Sequence, residues 1–194
     1  TRSARIVAER VQRGYRTALD IVSRAGEYRP LVMPGRRWLE YLVINGLEAQ
    51  SLTGITLRHK QGLAAPAAFT QAAQWLIGQG VGQRVVIHAP EGAWGQEGQH
   101  SGLWQPAWCL TPEEIVGSVG AGDAFCAGVL YASHEGWSMI ETLKLAHTCA
   151  CFNLHAANAL DGTRPLAEMQ RWMDQAICVS RAAEAGRMTS AEKT

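Results

Sequence analysis

Continuous apolar runs alternate with helical patterns along most of this chain. At the start, the apolar residues Ile6, Val7 and Val11 share one face and predict an amphipathic helix over 3–14. Later runs are rich in strand-forming residues, and they predict strands at 15–22, 41–44 and 84–88. Because these runs are apolar rather than alternating, they favour a parallel sheet that is covered on both faces.

Helical patterns fill the spaces between these strands. A short helix over 48–52 is stopped by Gly54, and a longer helix over 66–77 accommodates a proline in its first turn. After Gly120 the pattern is helical over three further stretches, namely 121–133, 138–157 and 166–181. Strands that alternate with helices predict the α/β class.

The remaining segments complete the predicted organisation. The segment 23–35 holds two prolines and two glycines and predicts a loop, and 91–110 predicts short extended segments that cross the surface. We expect one domain over 1–181 and a flexible polar tail over 182–194.

Charge narrows the classes of function. The 194 residues carry 18 Lys and Arg against 17 Asp and Glu, a formal net charge of +1. A nearly neutral protein lacks the positive electrostatic potential with which nucleic-acid-binding and membrane-surface proteins attract their partners. We therefore expect neither kind of partner. No apolar run approaches the roughly 20 residues that span a bilayer, which predicts a soluble protein.

The cysteines indicate a reducing compartment rather than a metal site. Five of them, an odd number, lie mostly in apolar stretches, which predicts free thiols and a cytoplasmic location. Cys149 and Cys151 are two residues apart in a predicted helix and therefore face different sides. Since no second pair has zinc spacing, we expect no metal held directly by side chains.

The strongest candidate for chemistry is the glycine-rich segment 116–125, which reads VGSVGAGDAF. Gly120, Ala121 and Gly122 let the backbone approach a ligand just where a predicted helix begins, and helix N-termini bind anions. Asp123 beside them suits a base that takes a proton from an attacking hydroxyl, as phosphoryl transfer requires. A tight turn followed by an ordinary first-turn acid fits the same four residues, and this alternative stays open.

The wider segment VGSVGAGDAFCAGVL resembles the second signature of the ribokinase family of carbohydrate kinases, also called the phosphofructokinase-B family. That signature is Asp-Thr-x-Gly-Ala-Gly-Asp followed by small and apolar residues, and positions 120–123 and 127–130 match it. Asn45-Gly-Leu-Glu48, after an apolar strand, is similar to the family's Asn-x-x-Glu motif. The resemblance covers nearly the whole chain, to about residue 176.

This resemblance implies a three-layer α/β/α, Rossmann-like ribokinase fold with a mostly parallel sheet. It also implies an ATP-dependent kinase for a sugar hydroxyl, with Asp123 as the general base and Gly120, Ala121 and Gly122 as the anion hole. Asn45 and Glu48 would place Mg²⁺ and phosphate through waters, since Mg²⁺ tends to keep its water shell. The plainer alternatives are a strand-end cap for Asn45 and a solvated helix acid for Glu48.

The nucleotide-binding side departs from the family pattern. The family's Thr-x-Gly-x-x-Gly is replaced by His88-Ala-Pro-Glu-Gly92, which keeps the last glycine for nucleotide contact. His147, on a helix that forms part of the family's adenine pocket, and Asn158 are further nucleotide-binding candidates, although His147 suits a core position equally well. Gly117 stands where the signature begins with Asp, so a potassium requirement is doubtful.

The family's first, Gly-Gly-rich signature is absent from these residues. The chain therefore resembles only the C-terminal portion of such a kinase, and we expect the N-terminal part and the lid over the sugar to be missing. An unpaired edge strand would favour association, which leaves a homodimer open. Two further alternatives remain: a non-catalytic, kinase-like scaffold, and a kinase for a nucleoside or vitamin-type acceptor.

Overall fold

A five-stranded mixed sheet organises the protein. The computed structural model describes residues 2–21, 27–58 and 64–175. Its strands are β1 (Ala18–Asp20), β2 (Tyr41–Asn45), β3 (Arg84–Ala89), β4 (Gly92–Glu97) and β5 (Leu103–Pro106), which lie side by side in chain order. β1, β2 and β3 pair in parallel, whereas β4 is antiparallel to both β3 and β5. Four of the five strands therefore point the same way, as the predicted mostly parallel sheet requires.

The predicted helices are found close to their expected bounds. The helices are α1 (Arg2–Gln12), α2 (Arg29–Val32), α3 (Gly46–Thr53), α4 (Pro66–Gly78), α5 (Ala121–His134) and α6 (Met139–Leu154). Residues 166–175 are also helical, and the predicted continuation to 181 and the tail at 182–194 lie outside the described residues. No helix in the described part of the chain is long and apolar enough to cross a membrane.

Two expectations about loops were wrong. Within the segment predicted as loop, α2 is followed by a 3₁₀ helix over Met33–Trp38. Pro30 and Pro34 each lie in the first turn, where a missing N–H removes no helical hydrogen bond. β4, expected at the surface, is largely buried. A Cβ at Gly95 would overlap the Sδ atom of Met139, so glycine lets the start of α6 pack closely against β4.

The chain forms two compact units. The first runs to Ala107 and includes Ser133–Leu143, and the second takes Trp108–Ala132 and the chain from Lys144 onward. In the first unit, α4 covers one face of the sheet, with Phe69 and Leu76 packed among buried residues of β2 and β3. The ring of Phe69 meets Trp104 of β5 edge-on, with centroids 5.1 Å apart. Burial of such side chains supplies about 1.5–3 kcal/mol each.

The second unit contains a close helix crossing. A Cβ at Gly128 would lie only 2.7 Å from Ala146 Cα, so glycine lets α5 and α6 approach each other here. The rings of Phe125 and His147 meet edge-on beside this crossing, 5.2 Å apart. The small pair Ala127-Gly128 in the sequence signature therefore has a packing role.

A buried arginine connects β3 to the turn between α5 and α6 within the first unit. The Arg84 side chain is 8% exposed. Its guanidinium donates to Ser133 Oγ at 3.0 Å, Thr142 Oγ1 at 3.2 Å and the Trp137 carbonyl at 2.9 Å. Its Nε donates to Glu97 Oε1 at 3.2 Å. A buried cation is tolerated here because several acceptors surround it.

We expect Arg84→Met to lower the free energy of unfolding by about 2–3 kcal/mol, because the surrounding acceptors lose their donor. Arg16→Met is the matched control, since the Arg16–Glu40 pair is half-exposed and should contribute less than about 1 kcal/mol. Urea unfolding followed by tryptophan fluorescence measures both. Equal losses for the two variants would contradict the structural importance of Arg84.

Candidate functional site

Asn45 and Glu48 lie at the carboxyl end of β2, where the chain enters α3. The Asn45 Oδ1 accepts hydrogen bonds from the N–H groups of Leu47 and Glu48, each at 3.0 Å. The Glu48 Oε2 accepts in return from the Asn45 N–H at 2.9 Å. This reciprocal capping box agrees with the cap interpretation of Asn45. Glu48 is only 1% exposed, so the alternative of a solvated helix acid is wrong.

His88 occupies the neighbouring position on β3. Asn45 and His88 are paired residues in the parallel β2–β3 ladder. The His88 ring is mostly buried, and this burial lowers its pKa from 6.5 to about 4. The imidazole is therefore neutral at pH 7, and the carboxyl edge of the sheet carries no positive charge from this residue.

The segment His88-Ala-Pro-Glu-Gly92 forms a tight hairpin. β3 ends at Ala89 and β4 begins at Gly92, which leaves Pro90 and Glu91 as the connection. Gly92 is buried, and a Cβ there would lie 2.6 Å from both the Gln105 carbonyl and the Trp104 ring. The missing side chain of Gly92 therefore lets β5 pack closely against it. A nucleotide could contact only the remaining backbone atoms of Gly92.

The hairpin carries an ion pair that sequence reasoning missed. Arg58 donates to Glu91 through both terminal guanidinium nitrogens, Nη1 to Oε1 at 2.6 Å and Nη2 to Oε2 at 3.1 Å. This hydrogen bonding lowers the pKa of Glu91 and raises the pKa of Arg58. The two residues are 33 positions apart, and no local pattern in the sequence connects them.

In the second unit, the glycine-rich segment turns sharply into α5. Gly120 has a φ of +82°, in the left-handed region that favours glycine. A Cβ at this position would overlap the Cβ of Ala159. The turn therefore needs glycine for its backbone conformation and again for its packing.

Asp123 lies in the first turn of α5 with an exposed side chain. The N–H groups at the start of a helix have no acceptor inside it. Here the Ala121 N–H donates weakly to the Ser118 carbonyl at 3.3 Å, and the Ala124 N–H donates to the Gly120 carbonyl at 2.8 Å. Gly122 and Asp123 hence supply the N–H groups best suited to an anion.

A buried amide lies beside this turn and was not predicted. Asn153 is 3% exposed, and its Oδ1 has no hydrogen-bond partner in the described chain. Its Nδ2 is 3.4 Å from the Cβ position of Gly120. An unsatisfied buried acceptor is costly, so it marks a place where a water or a ligand donor fits.

The other nucleotide-binding candidates have structural partners. His147 is 6% exposed and packs its ring against Phe125, which agrees with the core alternative. Asn158 caps a local turn, since its Oδ1 accepts from Leu160 and Asp161 at 2.9 and 3.0 Å. Its Nδ2 donates to the Asp161 carboxylate at 2.8 Å.

Metal-ligating side chains do not cluster in the part of the chain that the structure describes. No three His, Cys, Asp or Glu residues there come together as a metal site. The described cysteines, Cys109, Cys126, Cys149 and Cys151, are free thiols. Burial raises the pKa of Cys149 and of Cys151 to about 11, so both are protonated and unreactive at neutral pH.

Comparison with known proteins identifies the family. The model of the pfkB family of carbohydrate kinases matches residues 8–164, which is most of the chain. The chain belongs to the pfkB family. The predicted resemblance to this family, and with it the ribokinase-like fold, is confirmed.

Individual relatives agree with this assignment. The 1-phosphofructokinase of Haemophilus influenzae is 31% identical over 87 residues, which is 45% of this chain and 27% of that protein. The structure of Arabidopsis thaliana ribokinase complexed with ribose and ATP superposes with a TM-score of 0.71 at 18% identity, covering 88% of this chain. Phosphofructokinase-2 of Escherichia coli gives a TM-score of 0.70 at 18% identity over 90% of this chain. The chain spans 51% and 52% of these two structures, about half of each.

Two departures from the pfkB pattern have structural consequences. His88-Ala-Pro-Glu-Gly92 stands where the family has Thr-x-Gly-x-x-Gly, and the side chain at its start is the mostly buried imidazole of His88 rather than a hydroxyl. Gly117 replaces the first aspartate of the signature, and a Cβ there would lie 2.9 Å from the Ala156 carbonyl. An aspartate would fit at this position only if the backbone around residue 156 moved.

We expect Gly120→Ala to destabilise the protein by about 2–3 kcal/mol, the sum of a strained φ and a clash with Ala159. Gly136→Ala is the matched control, because Gly136 has a φ of +72° but open space around its Cβ position. The control should lose only about 1 kcal/mol. Thermal or urea unfolding measures both, and equal losses would show that packing against Ala159 is unimportant.

His88 should make stability depend on pH. Its folded-state pKa of about 4 lies below its unfolded value of 6.5, so the unfolded chain binds the proton first. The free energy of unfolding should fall by up to about 3 kcal/mol as the pH is lowered from 6.5 to 4. His88→Gln should remove this dependence, whereas His100→Gln, at an exposed position, should keep it. Parallel pH curves for the wild type and His88→Gln would contradict the assignment.

Proposed function

We propose that this chain is the phosphoryl-transferring part of an ATP-dependent kinase that acts on a hydroxyl of a sugar or sugar-like alcohol. The observation that carries this proposal is the turn at Gly120, which presents the start of α5 and Asp123 within a family-matching segment. Membership of the pfkB family supports the class of reaction.

The start of α5 suits the transferring phosphoryl group. The left-handed turn at Gly120 brings the chain directly into α5, and the first-turn N–H groups of Gly122 and Asp123 can donate to phosphate oxygens. The unsatisfied Oδ1 of Asn153 beside this turn suits a water in the phosphate shell or a donor on the ligand. We assign the anion hole to Gly120, Ala121 and Gly122, with Gly122 and Asp123 supplying the freest donors.

Asp123 is assigned the role of general base. The acceptor hydroxyl would attack the γ-phosphorus of ATP, the bond from that phosphorus to the bridging oxygen would break, and ADP would leave. The hydroxyl proton would pass to the Asp123 carboxylate, which is exposed and able to meet an acceptor. A carboxylate next to an anion hole would otherwise repel the substrate, so its presence favours a proton-accepting role.

Asn45 and Glu48 suit Mg²⁺ only through its water shell. Their Oδ1 and Oε2 atoms already accept backbone N–H groups of the capping box. Mg²⁺ commonly retains several waters in phosphate sites, and these waters could donate to the same carboxylate and amide. The ion would neutralise phosphate charge when bound, while these two residues would orient its waters.

Our candidates for nucleotide contact remain Gly92, His147 and Asn158. Gly92 belongs to a tight hairpin at the carboxyl edge of the sheet, where ligands of open α/β sheets bind. His147 and Asn158 each have a structural partner, Phe125 and Asp161 respectively, which weakens their case. A nucleoside acceptor also stays open, because the nucleoside kinase of Burkholderia thailandensis, solved in complex with inosine, superposes with a TM-score of 0.65.

A non-catalytic, kinase-like scaffold is the second candidate. It is favoured by His88-Ala-Pro-Glu-Gly92, which lacks the family's threonine and first glycine, and by Gly117, which replaces the signature aspartate. Such a protein would bind nucleotide or a partner without turnover. Activity measurements distinguish it from the kinase.

Asp123→Asn should lower kcat for phosphoryl transfer by about 10²–10⁴-fold, because the amide cannot accept the hydroxyl proton. The assay is ATP-dependent phosphorylation of a panel of sugars by the full-length protein, monitored by the release of ADP. Glu135→Gln is the matched control, since this exposed acid follows the far end of α5 and should keep full activity.

The outcomes separate the two candidates. Turnover by the wild type and by Glu135→Gln, with loss in Asp123→Asn, would support the kinase. If wild type and Asp123→Asn turned over every sugar equally poorly while MgATP still bound, the scaffold would be the better description.

A further inference from the structure

The ion pair between Arg58 and Glu91 lies at the edge of the sheet where the parallel strands β2 and β3 end. Glu91 is in the connection that follows β3, and its carbonyl accepts from the Ala107 N–H at 3.0 Å, which anchors the hairpin. Leu57, next to Arg58, approaches the Cβ position of Gly46 to 3.9 Å. Gly46 directly follows Asn45, so the ion pair and the capping box share one edge.

The ion pair is accessible and contributes little to the fold. The Arg58 and Glu91 side chains are 38% and 36% exposed. Exposed ion pairs contribute about 0–1 kcal/mol to stability. The two-nitrogen geometry is nevertheless the one with which arginine binds phosphate oxygens. A phosphate group that reached this edge could therefore take over the guanidinium at little cost to folding.

We propose that Arg58 is a phosphate-binding residue for the nucleotide, and that Glu91 occupies its guanidinium until the nucleotide arrives. This inference rests on the proposed function, because it assumes that MgATP binds at the carboxyl edge of the sheet. It adds a residue that the family motifs in the sequence do not include.

Because their charges are opposite, Arg58 and Glu91 should have opposite effects on the affinity for MgATP. Arg58 attracts the polyphosphate and can form two charge-assisted hydrogen bonds with it. Glu91 competes for the same guanidinium and repels the phosphate charge. Removal of the arginine should weaken binding, and removal of the carboxylate should strengthen it. If the ion pair were purely structural, both substitutions would change the affinity for MgATP in the same direction.

The test is the Kd of the 194-residue chain for MgATP, measured by calorimetry at low and high salt. Arg58→Gln should weaken binding about 10-fold, and Glu91→Gln should tighten it about threefold, as expected for charge-assisted hydrogen bonds. The salt dependence should be shallower in Arg58→Gln than in the wild type, since one phosphate contact is lost.

Arg16→Gln is the matched control. Arg16 forms a similarly exposed pair with Glu40, N to O 3.0 Å, just before the amino end of β2. Because this is the opposite edge of the same sheet, the control should bind MgATP as the wild type does. Thermal unfolding of all three variants verifies that each is folded.

The outcomes distinguish this inference from the proposed function. If the wild type binds MgATP but Arg58→Gln binds equally well, or if Glu91→Gln weakens binding, the role of Arg58 is overturned while the proposed function stands. If the folded wild type binds no MgATP, both are overturned. Opposite shifts for the two variants with an unchanged control support the inference.

Discussion

The buried carboxylate of Glu48 is the constraint on which the carboxyl edge of the sheet depends. A carboxylate that is 1% exposed would destabilise the fold unless polar hydrogens surrounded it. The Asn45 N–H meets this need only if the chain leaves β2 and enters α3 without an intervening loop. In the parallel ladder Asn45 pairs with His88, and the β3–β4 hairpin with Glu91 follows His88 at the same edge.

In the second unit, the sharp turn into a helix depends on a glycine rather than on a buried carboxylate. Gly120 adopts a left-handed conformation that brings the chain into α5 while Ala159 packs where a side chain would be. The first turn of the helix is thereby presented with its N–H groups and with Asp123. Both units thus build their candidate chemistry at a helix N-terminus reached through a sharp turn, where backbone donors favour anions.

The sequence predicted those parts of the fold whose signals are local. The apolar run of β2, the proline-initiated α4 and the helix after Gly120 were each placed within about two residues, as expected when periodicity and end signals agree. The family resemblance was also visible, because its motifs are short and contiguous. The sequence motifs alone therefore identify Asn45, Glu48 and residues 120–123 as candidates, and their chemical roles stay predictions.

Features that depend on distant residues could not be predicted in this way. Met139 packs against Gly95 of the buried strand β4 although the two residues are far apart in the sequence, and the Arg58–Glu91 pair joins residues 33 positions apart. Glu48 looks solvated in the sequence because its burial is set by packing. The most direct test of the account is the amide chemical shifts of the folded chain on addition of MgATP. We predict shifts at Gly122, Asp123 and Asn45; shifts confined to other residues, or none, would contradict it.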